Sequence, residues 1–173
     1  MGDLFTQLDL FPKGMETVPL GQVRAHLREK MDDGVDCPAC GRLVKSYKFT
    51  ILGTMAATLM WIVAKAKQTK QPWVHLNNPE APPWVKADRN YPRLAYWDLA
   101  VAREQEEKDE KRCSGFWKAT PLGIDFVYNR AKVPQYVLAY NNIPYEHSSD
   151  MVSIQDVMKK KFNYEEMLRT WSL

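Results

Sequence analysis

The chain contains few cysteines and lacks the short motifs that mark the commonest catalytic sites. Three cysteines in 173 residues are too few for the disulfide framework of a small secreted protein, so we expect a reducing, cytoplasmic compartment. The sequence has no phosphate-binding loop, no GxSxG and no HExxH. His147 lies in a polar run that is typical of a solvated turn, because catalytic groups meet in space rather than along the sequence. We therefore predict that the protein is not an enzyme.

The sequence also lacks a hydrophobic run long enough to cross a membrane. The longest uncharged stretch, residues 49–64, has 16 residues and includes threonine and glycine. A membrane-spanning helix needs about 20 apolar residues. The first residues, MGDLF, have neither the basic start nor the apolar core of a signal peptide. We expect a buried helix over the uncharged stretch and no membrane partner.

Neither sign of charge is in large excess. Lys and Arg total 24 and Asp and Glu total 21, which gives a net charge of +3 and a pI of about 8.7. Dedicated nucleic-acid binders often have a pI above about 9, so this charge permits nucleic-acid binding without requiring it. Hydrophobic residues make up 45% of the chain, which is an ordinary globular composition and excludes a disordered tail.

Hydrophobic periodicity predicts a mixture of helices and strands, and thus an α+β fold. The charged run EQEEKDEKR, residues 104–112, is predicted as the hinge between two strands. The predicted elements are helices over residues 20–31, 44–67 and 85–99, strands over 100–105 and 116–119, a helix from Thr120 to about Arg130, a hairpin over 133–145 with its turn at Asn141-Asn142, and helices after Ser153.

These elements divide the chain into three segments. Residues 1–43 are predicted as an N-terminal extension with a helix and a CPxCG knuckle, and residues 44–130 as the central domain. Residues 131–173 are predicted as a C-terminal β-hairpin plus helix.

Two stretches of the central segment are similar to known DNA-binding proteins. Residues 91–102, YPRLAYWDLAVA, are similar to the end of a recognition helix followed by a first wing strand. Residues 115–123, GFWKATPLG, are similar to a second wing strand that leads into the next helix, where MarR-type regulators typically have Leu-Thr-x-x-Gly. Residues 44–130 thus resemble a winged-helix domain. The layout of the whole chain resembles small phage-encoded proteins of unassigned function that pair a CPxCG knuckle with such a domain.

The resemblance implies a winged-helix core and double-stranded DNA as the partner. It further implies that the protein is a phage-encoded transcription regulator in the host cytoplasm. Arginine pairs bidentately with guanine and asparagine with adenine, so polar residues on or just before the expected recognition helix are the candidate DNA contacts. The alternative is that these side chains are simply solvated. The candidates are Lys86, Arg89, Asn90 and Arg93.

The acidic hinge favours a different function. Its carboxylates outnumber its cations and would be repelled by DNA phosphates. The alternative hypothesis is therefore a non-catalytic protein that binds and modulates a host protein through this acidic hinge and nearby tryptophans. The residues assigned to that surface are Trp73, Trp84, Glu106, Glu107, Asp109 and Glu110.

The CPxCG knuckle has the spacing of a zinc half-site. Cys37 and Cys40 can supply two thiolate ligands, whereas a closed structural zinc site needs four. The remaining ligands would come from His26, from Cys113, or from a second chain in a homodimer with a shared four-thiolate site. A turn with two free thiols is the simpler alternative.

Overall fold

A computed structural model describes residues 18–103, 115–158 and 162–173. It has the mixed α+β architecture that the sequence predicts. The helices are α1 (Leu20–Lys30), α2 (Gly53–Thr69), α3 (Pro83–Ala87), the 3₁₀ helix η1 (Tyr91–Trp97), α4 (Pro121–Val127), α5 (Ile154–Met158) and α6 (Tyr164–Thr170). The strands are β1 (Val35–Asp36), β2 (Leu43–Val44), β3 (Tyr47–Thr50), β4 (Val74–His75), β5 (Ala100–Ala102), β6 (Phe116–Ala119), β7 (Val133–Pro134), β8 (Tyr136–Tyr140), β9 (Ile143–His147) and β10 (Met151–Val152).

In the described part of the chain the strands form four small sheets. Contacts divide the chain into two compact units. The sheets have the strand orders β1-β2, β10-β7, β3-β8-β9 and β4-β6-β5. The N-terminal unit comprises Met1–Lys48 with Leu138–Tyr145, and the main unit comprises Phe49–Val137 with Glu146–Leu173. The division into three sequence segments at residues 43 and 130 stays a prediction.

Helix α2 is the centre of the main unit, as its uncharged sequence predicts. Nine consecutive residues, from Met55 to Val63, are buried. Their side chains pack against α4, α5, η1 and strand β6. A helix that is apolar on all sides needs such neighbours all round. Within the described ranges no helix has the length and hydrophobicity to cross a bilayer.

The predicted start of this helix at residue 44 is wrong. Val44 belongs to β2, residues 47–50 form β3, and the helix begins only at Gly53. Aromatic and β-branched residues such as Phe49 and Thr50 favour strands. The backbone N–H of Ile51 also donates to the carbonyl oxygen of Gln135 at 3.3 Å, so tertiary pairing holds this stretch extended.

The two predicted wing strands are paired. Strands β5 and β6 are antiparallel, with Ala100 opposite Ala119 and Ala102 opposite Trp117. Strand β4 lies on the other side of β6, where Val74 is opposite Trp117. The acidic hinge between β5 and β6 lies outside the described residues.

Two further local predictions are confirmed. The hairpin turn between β8 and β9 has positive φ at both Asn141 and Asn142, +51° and +62°. Asparagine tolerates this left-handed conformation, which two-residue hairpin turns require. Helix α1 also occupies its predicted place, although none of its residues is buried.

Thr120 caps helix α4 as its place before Pro121 predicts. Its hydroxyl oxygen accepts a hydrogen bond from the backbone N–H of Gly123 at 2.9 Å. The same hydroxyl donates to the carbonyl oxygen of Asp98 at 2.5 Å. One side chain therefore links the start of α4 to the turn that precedes β5.

We expect Thr120→Ala to lower the free energy of unfolding by about 1–2 kcal/mol, because it removes the cap of α4 and the hydrogen bond to the carbonyl oxygen of Asp98. Thr120→Ser keeps the hydroxyl and is the matched control, with a loss of less than about 0.5 kcal/mol. Urea denaturation of both variants measures the difference. Equal losses in the two variants would show that the methyl group, rather than the hydroxyl, stabilises this site.

Candidate nucleic-acid interface

The segment predicted as one helix over residues 85–99 is two short helices joined by a turn. Helix α3 ends at Ala87, because Asp88 takes an extended conformation with ψ of 117°. The 3₁₀ helix η1 begins at Tyr91, with Pro92 in its first turn. Proline fits the first turn of a helix, where its missing N–H has no partner to lose, so Pro92 suits a helix that starts anew at residue 91. The observed unit is thus helix, three-residue turn, helix.

Asp88 fixes the turn between α3 and η1. The residue is only 7% exposed, and its Oδ1 accepts a hydrogen bond from the backbone N–H of Asn90 at 2.9 Å. Its Oδ2 lies 3.4 Å from the hydroxyl of Thr58 on α2, which donates to it. An aspartate that bonds the backbone two residues further on mimics a tight turn. Arg89 stands between these bonded residues and is exposed.

The second helix of the pair is anchored firmly. Leu94 and Trp97 of η1 are buried in the core of the main unit. The indole Nε1–H of Trp97 donates to the carbonyl oxygen of Pro134 at 2.7 Å. The first residues of η1 are thereby held on a rigid support, while their polar side chains remain partly exposed.

The four predicted DNA contacts lie together on this helix–turn–helix segment. Lys86, on α3, is exposed and its Nζ donates to the carbonyl oxygen of Pro79 at 3.2 Å. Arg93 donates to Oδ1 of Asn90, and its guanidinium carbon lies 4.4 Å from the centre of the Phe49 ring. Stacking on an aromatic ring holds the planar guanidinium without neutralising it.

The exposed charge of the segment is entirely positive. Over residues 83–97 the only carboxylate is that of Asp88, which is buried. Lys86 and Arg89 are exposed and Arg93 is half-buried. A cationic surface of this kind favours an anionic partner.

The tryptophans of the alternative surface make contacts within the chain. Trp84 is half-buried and packs on Phe162 and Trp171, with ring centres 5.2 and 6.1 Å apart. Trp73 is half-buried beneath Lys118, whose Nζ lies 5.1 Å from the ring centre. The hinge residues assigned to that surface, Glu106, Glu107, Asp109 and Glu110, lie outside the described residues.

The two knuckle cysteines lie in a tight turn between β1 and β2. Cys37 is half-buried and Cys40 is exposed. A hydrogen bond from the backbone of Ala39 lowers the pKa of the Cys37 thiol, and bonds from the Cys40 side chain and backbone act in the same direction. Across the described ranges no three potential ligands among His, Cys, Asp and Glu come together, so His26 does not join the two thiols. Cys113 lies outside the described residues.

The sequence interpretation missed two residues of the interface. Asp88 stands two residues before Asn90, and aspartate at that spacing is the usual sign of a side-chain-stabilised turn. The spacing in DRNYP (88–92) is a local signal for a turn, whereas the burial of Asp88 beside Thr58, on which the turn also depends, is not readable from the sequence. Phe49 is 44 residues away from Arg93 in the chain, and no local pattern indicates their contact, which depends on the tertiary fold.

No protein-family model, curated protein or solved structure matches the chain.

Proposed function

We propose that this chain is a DNA-binding protein with a winged-helix core, which docks on a duplex through α3, the turn of residues 88–90, and η1. The observation that supports it most is the three-residue turn, which presents the exposed Arg89 just before an anchored second helix that carries the half-buried Arg93. The resemblance of the sequence makes a phage-encoded transcription regulator the natural biological role.

The layout of the segment supports the proposal. Helix-turn-helix motifs consist of two helices joined by a turn of three or four residues. Here α3 and η1 are joined by residues 88–90 and are followed directly by the antiparallel β5–β6 pair. The order of the described elements from α2 to α4 resembles that of a winged-helix domain, which supports the proposal.

The side-chain chemistry divides between the two helices. In docked helix-turn-helix motifs the first helix crosses the phosphate backbone, and the N-terminal residues of the second contact base edges. Lys86 on α3 is therefore assigned to a phosphate. Arg89, Asn90 and Arg93 are assigned to base edges, with Phe49 and the Asn90–Arg93 hydrogen bond limiting the freedom of the guanidinium.

The acidic hinge restricts how the duplex is bound. Five carboxylates and three cations occupy residues 104–112. Close approach of this run to phosphates would be unfavourable. The proposal accordingly places the DNA contact on α3 and η1 and assigns no phosphate contact to the hinge.

The test is duplex binding, measured by fluorescence anisotropy on a selected or random-sequence pool. We expect Arg89→Ala and Arg93→Ala each to weaken binding of a preferred duplex by about 5- to 150-fold, which corresponds to about 1–3 kcal/mol for a base-edge contact. Lys86→Ala should weaken all duplexes to a similar extent. Lys132→Ala is the matched control, because Lys132 is exposed in the main unit but lies between α4 and β7.

Two outcomes would contradict the proposal. One is unchanged duplex affinity when Arg89 and Arg93 are both replaced. The other is an equal loss in the Lys132→Ala control, which would indicate diffuse attraction to a cationic protein rather than a defined surface. Circular dichroism of each variant verifies that the fold is retained.

A further inference from the structure

The CPxCG sequence of the N-terminal unit forms a tight, hydrogen-bonded turn. Strands β1 and β2 pair on either side of it, with Val35 opposite Val44. The backbone N–H of Cys37 donates to the carbonyl oxygen of Arg42 at 2.8 Å, and that of Gly41 donates to the carbonyl oxygen of Cys37 at 2.7 Å. Gly41 has φ of +68°, which glycine adopts without strain.

The turn closes between its two cysteines. The backbone N–H of Cys40 donates to the carbonyl oxygen of Cys37 at 3.2 Å. Two cysteines separated by two residues in a tight turn can both bind one zinc ion. Both cysteines are free thiols and neither is buried, so the site is accessible.

Two thiolates are half of the ligand set of a structural zinc site. Zn²⁺ in such sites takes four ligands in a tetrahedron, with sulfur at about 2.3 Å. In the part of the chain that the structure describes, no third ligand joins Cys37 and Cys40. The site therefore needs two ligands from elsewhere, and a second identical knuckle has the required number and chemistry.

The small hydrophobic core of the N-terminal unit indicates that the unit needs a metal ion or a second chain for stability. Among its described residues the buried hydrophobic side chains are those of Val44 and Ala139, together with Pro38. Small folded units without a sufficient core usually depend on a metal ion or on association with another chain. Large hydrophobic side chains of the same unit are exposed instead, and Leu43, three residues after Cys40, is 58% exposed. The others are Leu20, Tyr47, Tyr140, Ile143 and Tyr145.

We propose that Cys37 and Cys40 from two copies of this chain bind one Zn²⁺ in a shared four-thiolate site, with the exposed hydrophobic residues of the N-terminal unit buried between the copies. A two-fold axis through the metal would make the contact self-complementary, as in most homodimers. The inference is independent of DNA binding, whose candidate residues all belong to the main unit.

The test uses the full chain purified with zinc in the medium. We expect a dimer by light scattering and about 0.5 zinc per chain by elemental analysis, since one ion serves two thiolate pairs. A strong chelator should yield monomers and lower the melting temperature, because the metal is bound only by the folded state. Cys37→Ser and Cys40→Ser should each abolish zinc binding and dimerisation, whereas Cys113→Ser should preserve both.

A Co²⁺ titration of the unmodified protein keeps the inference testable even if the cysteine variants do not fold. The expected result is the absorption of tetrahedral cobalt with four thiolates, saturating at one ion per two chains. One zinc per monomer that is lost in Cys113→Ser would overturn the proposal in favour of a site within one chain. Less than about 0.1 zinc per chain with no chelator effect would leave only a structural turn.

Discussion

Replacing Gly123 by alanine is expected to lower the free energy of unfolding by about 3 kcal/mol or more, even though alanine is the better helix former. A Cβ atom built on Gly123 would lie 2.0 Å from the carbonyl oxygen of Leu99 and 2.9 Å from its carbonyl carbon. Both atoms belong to the backbone, so no side-chain rotation can relieve the clash. Helix α4 would have to move away from the start of β5.

The matched control is Gly21→Ala. Gly21 lies in the first turn of α1, and a Cβ at that position meets no atom within 4 Å. Alanine there should leave stability unchanged or raise it by up to about 1 kcal/mol. Guanidinium denaturation gives the free energy of unfolding of each variant, and the difference between them distinguishes the effect of close packing from that of helix propensity. A Gly123→Ala variant as stable as the parent would contradict the contact between α4 and Leu99.

Replacing Trp97 by alanine is expected to cost about 3–5 kcal/mol, because it removes the largest buried side chain of η1 and leaves a cavity. It also removes the donor to the carbonyl oxygen of Pro134. Trp97→Phe keeps most of the apolar volume and loses the hydrogen bond, so a loss of about 1–3 kcal/mol is expected.

Thermal and chemical unfolding of both variants shows whether Trp97→Ala loses more stability than Trp97→Phe. The same variants test the link to function, since η1 holds Arg93 in place. Below its melting temperature, Trp97→Ala should bind duplex more weakly than Trp97→Phe. Full duplex affinity in a folded Trp97→Ala variant would show that the position of η1 does not matter for binding.

Local patterns predicted those parts of the fold that local chemistry determines. Thr120 before Pro121 identified the start of α4, and Asn141-Asn142 identified the hairpin turn, because each depends on the backbone preferences of its own residues. The resemblance suggested a threonine and a glycine at the start of α4. The structure explains why a glycine is needed at position 123, because the backbone of Leu99 leaves no room for a Cβ atom there.

The predictions that failed concern places where distant residues decide the conformation. Residues 44–52 share the hydrophobic pattern of the helix that follows, yet strand pairing and the bond from Ile51 to Gln135 hold the last of them extended. The break at Asp88 similarly depends on burial of a carboxylate beside Thr58. Periodicity within a window of the sequence contains neither piece of information.

The candidate site follows the same division. The cationic residues of the site could be identified from the sequence, because they lie within eight residues of one another. The positions that these side chains take on the surface could not be predicted, since they depend on the turn at Asp88 and on the ring of Phe49 beneath Arg93. At the knuckle the sequence spacing predicted two metal ligands, Cys37 and Cys40. The fold of the described residues brings no third ligand to them.

The measurement that tests DNA binding by the α3–η1 segment most directly is the salt dependence of duplex affinity. We expect the affinity of the unmodified chain to fall between about 50 and 200 mM salt, with a log–log slope of about −2 or steeper. Lys86→Ala should make that slope shallower by about 1, and Lys132→Ala should leave it unchanged. Duplex affinity that does not vary with salt, or a slope that is the same with and without Lys86, would contradict the account.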